Sequence, residues 1–228
     1  MAEGQIRQVA LPEVLYRIAV RHRGLAFSEI TPEDHANPRA GHRFDVLGAG
    51  VLYAATRPRA AYLETLGNLR PSPGVELAPA DDDSEFMKPG SIPQQWREDR
   101  AMFELSASAE SAMTFVDLTD VGTRTWLAGI LRDQLKLLDI DYLDVPEVTN
   151  KNRYITRMLA GALYTVRSEQ HEDEFAFGGL RYASRYDSNE ECWAVFDRFP
   201  LEIAQQHRID CYDELYRDTA AALGLTPF

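Results

Sequence analysis

Val51-Leu-Tyr-Ala-Ala-Thr-Arg-Pro-Arg-Ala-Ala-Tyr-Leu-Glu64 reads as a short apolar strand that runs directly into a helix. Pro58 marks the helix start, because a proline in the first turn gives up an N–H that has no intrahelical partner. Along the helix Tyr62, Leu66 and Leu69 follow the i, i+4, i+7 spacing of a buried stripe. At about 100° per residue, Glu64 falls roughly opposite that stripe, beside Ala60, Ala61, Gly67 and Asn68. Two readings of Glu64 stand at this point. It is a solvated residue on an outer face, or a carboxylate kept among small neighbours so that a ligand can come close.

Upstream, Val14 to Val20 alternates as a strand, with Val14, Tyr16, Ile18 and Val20 on one face and Leu15, Arg17 and Ala19 on the other. Arg17 therefore projects from a largely apolar face, where an unpaired charge is costly. A structural salt bridge and an anionic ligand are both open as its partner. His22 to Gly50 and Pro71 to Pro93 read as irregular connections. The second carries Asp81-Asp-Asp83, taken as a solvated loop. Thr114 to Leu118 is expected as a strand, and Thr123 to Leu138 as a helix with Trp126, Ile130 and Leu131 inward. Asn152 to Arg167 is expected as a helix buried through Ile155, Leu159, Ala162, Leu163 and Val166. Gly179–Ser184 and Glu191–Phe196 read as late strands of a hairpin. The second is apolar on both faces, as a central strand is. Pro200 opens an expected helical segment over 200–224. The fold class is α+β: one domain over residues 1–228, core about 14–200, with a mixed or antiparallel sheet and flanking helices.

The chain has 228 residues, 45% hydrophobic and 26% charged, the composition of an ordinary globular protein. No apolar run reaches the ~18–20 residues of a membrane span, and the N-terminus lacks the apolar core of a secretory signal. A cytoplasmic location without membrane attachment is expected. Cys192 and Cys211 have no metal-ligand spacing and read as two thiols in a reducing compartment. A formal net charge of −12 repels phosphate backbones, so direct nucleic-acid binding is disfavoured. A few arginines in a concave site still suffice for a small anion.

The order of short motifs carries more than any one of them. Leu15-Tyr-Arg17 and Gly41-His-Arg-Phe44 precede the Tyr53-to-Glu64 block, and Gly178-Gly-Leu-Arg-Tyr-Ala-Ser-Arg185 leads into Cys192-Trp-Ala-Val-Phe196. From about Leu15 to Phe196 this order resembles the RES domain family, named for its arginine, glutamate and serine. The resemblance implies an ADP-ribosyltransferase-like fold acting on NAD as substrate, without a metal, to degrade it or to transfer its ADP-ribose. It makes Glu64, eleven residues after Tyr53, the carboxylate beside the ribose. It makes Arg17 first, and Arg43 second, the pyrophosphate ligand, because a guanidinium bonds two oxygens at once. Tyr53 stacks on a ring or bonds the ribose, with an ordinary core tyrosine as the other reading. The family serine is Ser184 or, in hydroxyl terms, Thr156, since Tyr154-Ile-Thr156-Arg157 stands where some members carry a serine. Studied members include bacterial toxins held by a helical antitoxin of the Xre type that occludes the NAD cleft, so such a partner is implied too.

Other chemistries lack their signatures. The five histidines, at 22, 35, 42, 171 and 207, show no metal-binding spacing. There is no Gly-x-Gly-x-x-Gly, no phosphate-loop lysine and no nucleophile elbow.

Overall fold

The computed structural model describes residues 5–71, 89–108, 113–150, 152–168, 171 and 173–228. Its strands are β1 (Gln8–Val9), β2 (Leu15–Val20), β3 (Val51–Ala55), β4 (Ser91–Ile92), β5 (Arg100–Ala107), β6 (Thr114–Asp117), β7 (Phe177–Ala183), β8 (Glu191–Phe196), β9 (Leu201–Arg208) and β10 (Thr226–Pro227). The helices are α1 (Pro32–His35), α2 (Pro58–Leu66), α3 (Gln94–Glu98), α4 (Val121–Ile130), α5 (Arg132–Leu137), α6 (Val145–Thr149), α7 (Arg153–Thr165) and α8 (Glu214–Ala222).

Eight strands form one sheet in the order β1-β6-β7-β8-β3-β2-β5-β9, and β4 pairs with β10 separately. All neighbours in the large sheet run antiparallel except β6 and β7, so the sheet is mixed and the fold is α+β. β7 and β8 pair antiparallel as the expected hairpin, and β8 lies at the sheet's centre. Gly179 is required there: at φ 155° a Cβ would drive into the Ala194 carbonyl of the neighbouring strand.

Apart from the exposed edge strand β9, the sheet carries a core on each face. One carries the larger core, where Val51, Ala55, Leu180, Tyr182 and Ala194 meet Tyr62, Leu63 and Leu66 of α2 and Ile155, Leu159 and Leu163 of α7. The other packs Leu15, Leu52, Phe103, Phe115 and Trp193. Burying α2 almost all round changes the meaning of its small residues. Ala60 and Ala61 are in the core, and a Cβ at Gly67 would collide with the Tyr186 ring.

Three sequence-based expectations fail. Leu201–Arg208 is the edge strand β9, not helix, and the C-terminal helix is confined to Glu214–Ala222. The stretch expected as one helix from Thr123 is two, with the break at Leu131. Leu127, Leu131 and Leu135 face inward there, whereas Ile130 is 44% exposed. The connection after His22 contains the turn of α1, and Asp81-Asp-Asp83 lies outside the described residues. Among the described residues no helix is long and apolar enough to cross a membrane.

Candidate functional site

The site begins where the sheet comes apart. β2 pairs with β5 along its whole length, but among the described residues it meets β3 only at Tyr16 and Ala55. Ser28 takes over instead, exchanging both backbone hydrogen bonds with Val51 at 2.8 and 2.9 Å. The split leaves carbonyls without ladder partners, and Arg17 fills it. Its guanidinium donates to the Tyr53 carbonyl at 3.4 Å and the Ala26 carbonyl at 2.8 Å. Its Nε is buried without a partner. Burial, then the nearby charge of Arg23, lowers the Arg17 pKa to about 10, so it remains cationic at neutral pH.

The 41–45 turn closes one wall. Asp45 is fully buried; its carboxylate accepts from the His42 amide at 2.6 Å and from the Tyr53 hydroxyl at 2.9 Å. That hydroxyl in turn accepts from the Phe44 amide at 2.9 Å. Burial, reinforced by the Asp45 charge, holds the Tyr53 phenol well above its usual range, so it stays protonated. Arg157 of α7 anchors the turn from behind, donating to the carbonyls of Asp34, His35, Asn37, Ala40 and His42. Arg43 lies over the adjacent Phe44 and Tyr182 rings, its guanidinium carbon 5.1 and 4.8 Å from their centroids. One of its nitrogens donates to the Val148 carbonyl at 2.6 Å, while Nε and Nη1 are buried without partners.

Across from this wall stands Glu64, half-buried on α2. Ser184 Oγ donates to its carboxylate at 2.6 Å and accepts from the Tyr186 amide at 3.1 Å. Seating the Tyr186 ring on Gly67 fixes that turn against α2. Cys192 lies behind Glu64, and burial first, then the Glu64 charge, pushes its thiol well above its usual range. A protonated, buried thiol is no nucleophile.

Arg17, Arg43, Tyr53, Glu64 and Tyr182 line one cleft of about 560 Å³, within the range of small-molecule sites. Six arginines (17, 23, 43, 100, 153 and 185) and two glutamates (29 and 64) line it, a formal surplus of four positive charges in a chain of net −12. Among the described residues none of the six forms an ion pair; Arg7, Arg57, Arg59 and Arg181 do. A family model for the RES domain matches residues 14–218.

The chain belongs to the RES domain family.

Among solved structures it is similar to the crystal structure of the M. tuberculosis MbcT–MbcA toxin–antitoxin complex, at 14% identity and a TM-score of 0.49, covering 94% of this chain and 92% of that chain. No curated protein matches. Within this RES domain the expected residues separate into two groups. Arg17, Arg43, Tyr53 and Glu64 share the cleft. Ser184 is 3% exposed and reaches the cleft only through Glu64. Thr156 is fully buried and does not line the cleft; its hydroxyl donates to the Arg43 carbonyl, so it supports the RES wall rather than its surface. Arg23, Arg100, Arg153 and Arg185 went unremarked in sequence as cleft residues, because each comes from a different segment.

Proposed function

We propose that this RES domain binds NAD in the arginine-lined cleft and breaks its nicotinamide–ribose bond, by phosphorolysis or hydrolysis. The observation that carries the reading is six guanidiniums, without carboxylate partners among the described residues, lining one cleft that also holds a hydrogen-bonded Glu64. An anion is what such a site lacks, and a pyrophosphate supplies one. Arg17 and Arg43, with buried unpartnered nitrogens, are its ligands. Bond cleavage builds positive charge on the ribose, as in glycoside hydrolysis. The Glu64 carboxylate stabilises that charge, and Ser184 fixes its direction. Tyr53, whose hydroxyl is engaged by Asp45 and the Phe44 amide, offers the ligand its ring rather than its O–H.

Family membership supports a toxin component neutralised by a helical antitoxin, of the Xre type in the family's studied pairs. Purified protein incubated with NAD, with and without phosphate, tests the chemistry. Nicotinamide release that requires phosphate indicates phosphorolysis, release without it hydrolysis, and labelled ADP-ribose left on protein indicates transfer. No release under any condition rejects the catalytic reading. Growth arrest on expression, relieved by a neighbouring helix-rich gene product, tests the toxin role; harmless expression of the chain alone rejects it.

A further inference from the structure

Ser184, whose hydroxyl meets Glu64, opens a loop that is held from outside the cleft. Residues Ser184–Glu190 connect β7 to β8, and the Ser184 amide closes the loop by donating to the Glu190 carbonyl at 2.8 Å. Within it the Glu190 amide donates to the Asp187 carbonyl at 2.9 Å, and the Asn189 amide to the Asp187 carboxylate at 3.1 Å. Such a connection is ordinarily the mobile part of a hairpin. Here it is fastened to α2 at two points. Where the helix ends, the Tyr186 ring packs on Gly67. Where it begins, Arg59 Nη1 donates to Asp187 at 2.7 Å and to Glu190 Oε1 at 2.9 Å. Arg57, immediately before the helix, places Nε 2.9 Å from Glu190 Oε2 and donates from Nη2 to the Asn189 carbonyl at 2.7 Å. Arg59 and Gly67 are separated by roughly 12 Å of helix axis, and Glu64 lies between them.

Burial ranks these contacts. Arg57 is exposed and Arg59 half-buried, and an ion pair between exposed groups contributes little. Glu190, however, is 2% exposed, and each of its carboxylate oxygens faces one guanidinium. Without them its charge would be buried and unpaired, which is the costly arrangement. The loop therefore settles where Glu190 meets both arginines. None of Arg57, Arg59 and Glu190 lines the cleft. We propose that Glu190 is a positioning residue for Glu64. Its pairs with Arg57 and Arg59 hold its own carbonyl on the Ser184 amide, and so keep the Ser184 hydroxyl 2.6 Å from the carboxylate. The proposal rests on the reading of Glu64 as the group that stabilises the ribose cation, and names what holds that group in place.

The test combines steady-state nicotinamide release from NAD with amide hydrogen exchange of the substrate-free protein, followed by NMR. The proteins are wild type, Glu190→Gln, Arg59→Gln, Arg59→Lys, Ser184→Ala and the double variant Ser184→Ala/Glu190→Gln. Glu190→Gln should lower kcat about tenfold with KM held within about threefold, because the hydroxyl that aims Glu64 loses its fixed place while the cleft lining is untouched. Arg59→Gln should lower kcat less, and Arg59→Lys, which keeps a cation, should recover most of the rate. In the Ser184→Ala background Glu190→Gln should cost less than about twofold more, since the hydroxyl it acts through is already gone. The Ser184 and Tyr186 amides should exchange about tenfold faster in Glu190→Gln, with those of β3 unchanged. Arg59→Gln leaves Arg57 on Glu190, so it reports on the clamp even where Glu190→Gln does not fold. Unchanged kcat in the Glu190 and Arg59 variants, independent losses in the double variant, or unchanged exchange at Ser184 overturns the proposal. No nicotinamide release by wild type refutes the catalytic reading; faster exchange at Ser184 would then still show Glu190 holding the loop on Glu64, and unchanged exchange would refute both.

Discussion

Removing one hydroxyl separates two roles for Ser184. In Ser184→Ala the Glu64 carboxylate loses a 2.6 Å donor, and the Tyr186 amide loses its acceptor. A hydrogen bond to a charged group contributes about 1.5–3 kcal/mol. If that energy serves to aim the carboxylate at the ribose, its loss appears in the transition state, and kcat falls roughly 10- to 150-fold. KM should hold within about threefold, because Ser184 does not line the cleft and the proposed pyrophosphate ligands are untouched. Steady-state kinetics of nicotinamide release measures both constants. Ser184→Thr, which retains a donor, should recover part of kcat. A rise in KM with kcat unchanged would refute the reasoning, since it would show Ser184 holding substrate directly.

Other perturbations follow from the same contacts. Tyr53→Phe removes the donor to buried Asp45 and the acceptor for the Phe44 amide, and should cost about 1–3 kcal/mol in urea unfolding; an unchanged midpoint contradicts the network. Asp117 is fully buried, bonded to Arg181 at 2.6 Å. Burial alone would raise its carboxyl, but Arg181 and Thr119 outweigh that and hold it below the usual range. A depressed carboxyl stabilises the fold above its unfolded pKa and loses that contribution as pH falls through the folded value. Asp117→Asn should therefore lose about 3 kcal/mol near neutrality, with the gap to wild type closing in acid; a pH-independent gap would contradict the pairing. Burial lowers the His42 pKa, so the unfolded chain takes up its proton at higher pH than the fold does. That linkage destabilises the fold as pH drops below about 6.5, and His42→Gln should flatten this part of the stability profile.

How much of this was legible in sequence differs by element. The β3–α2 junction was plain, because Pro58 and the Tyr62–Leu66 spacing mark it locally. β8 was recognisable as central from its unbroken apolar run. β9 was misread because Pro200 resembles a helix start and the strand is an exposed edge, so no buried period-2 pattern runs through it. At the site, Glu64 and Tyr53 sit on one strand–helix unit, and Arg17 announced itself as a charge on an apolar strand. Its hydrogen bonds to Tyr53 and Ala26 depend on the split between β2 and β3, which no local pattern encodes. The small residues around Glu64 open space for a ligand only in part: Ala61 borders the cleft, but Gly67 accommodates Tyr186. Arg23, Arg100, Arg153 and Arg185 were invisible as a set because only the topology of the sheet gathers them.

The most direct measurement is the rate of nicotinamide release from the dinucleotide by wild type and by Glu64→Gln, each shown folded by circular dichroism. The glutamine keeps the size and the Ser184 contact but removes the charge, so the rate should fall about 10²–10³-fold with little change in nucleotide binding. Equal rates in the two proteins would contradict a carboxylate that stabilises the developing ribose cation.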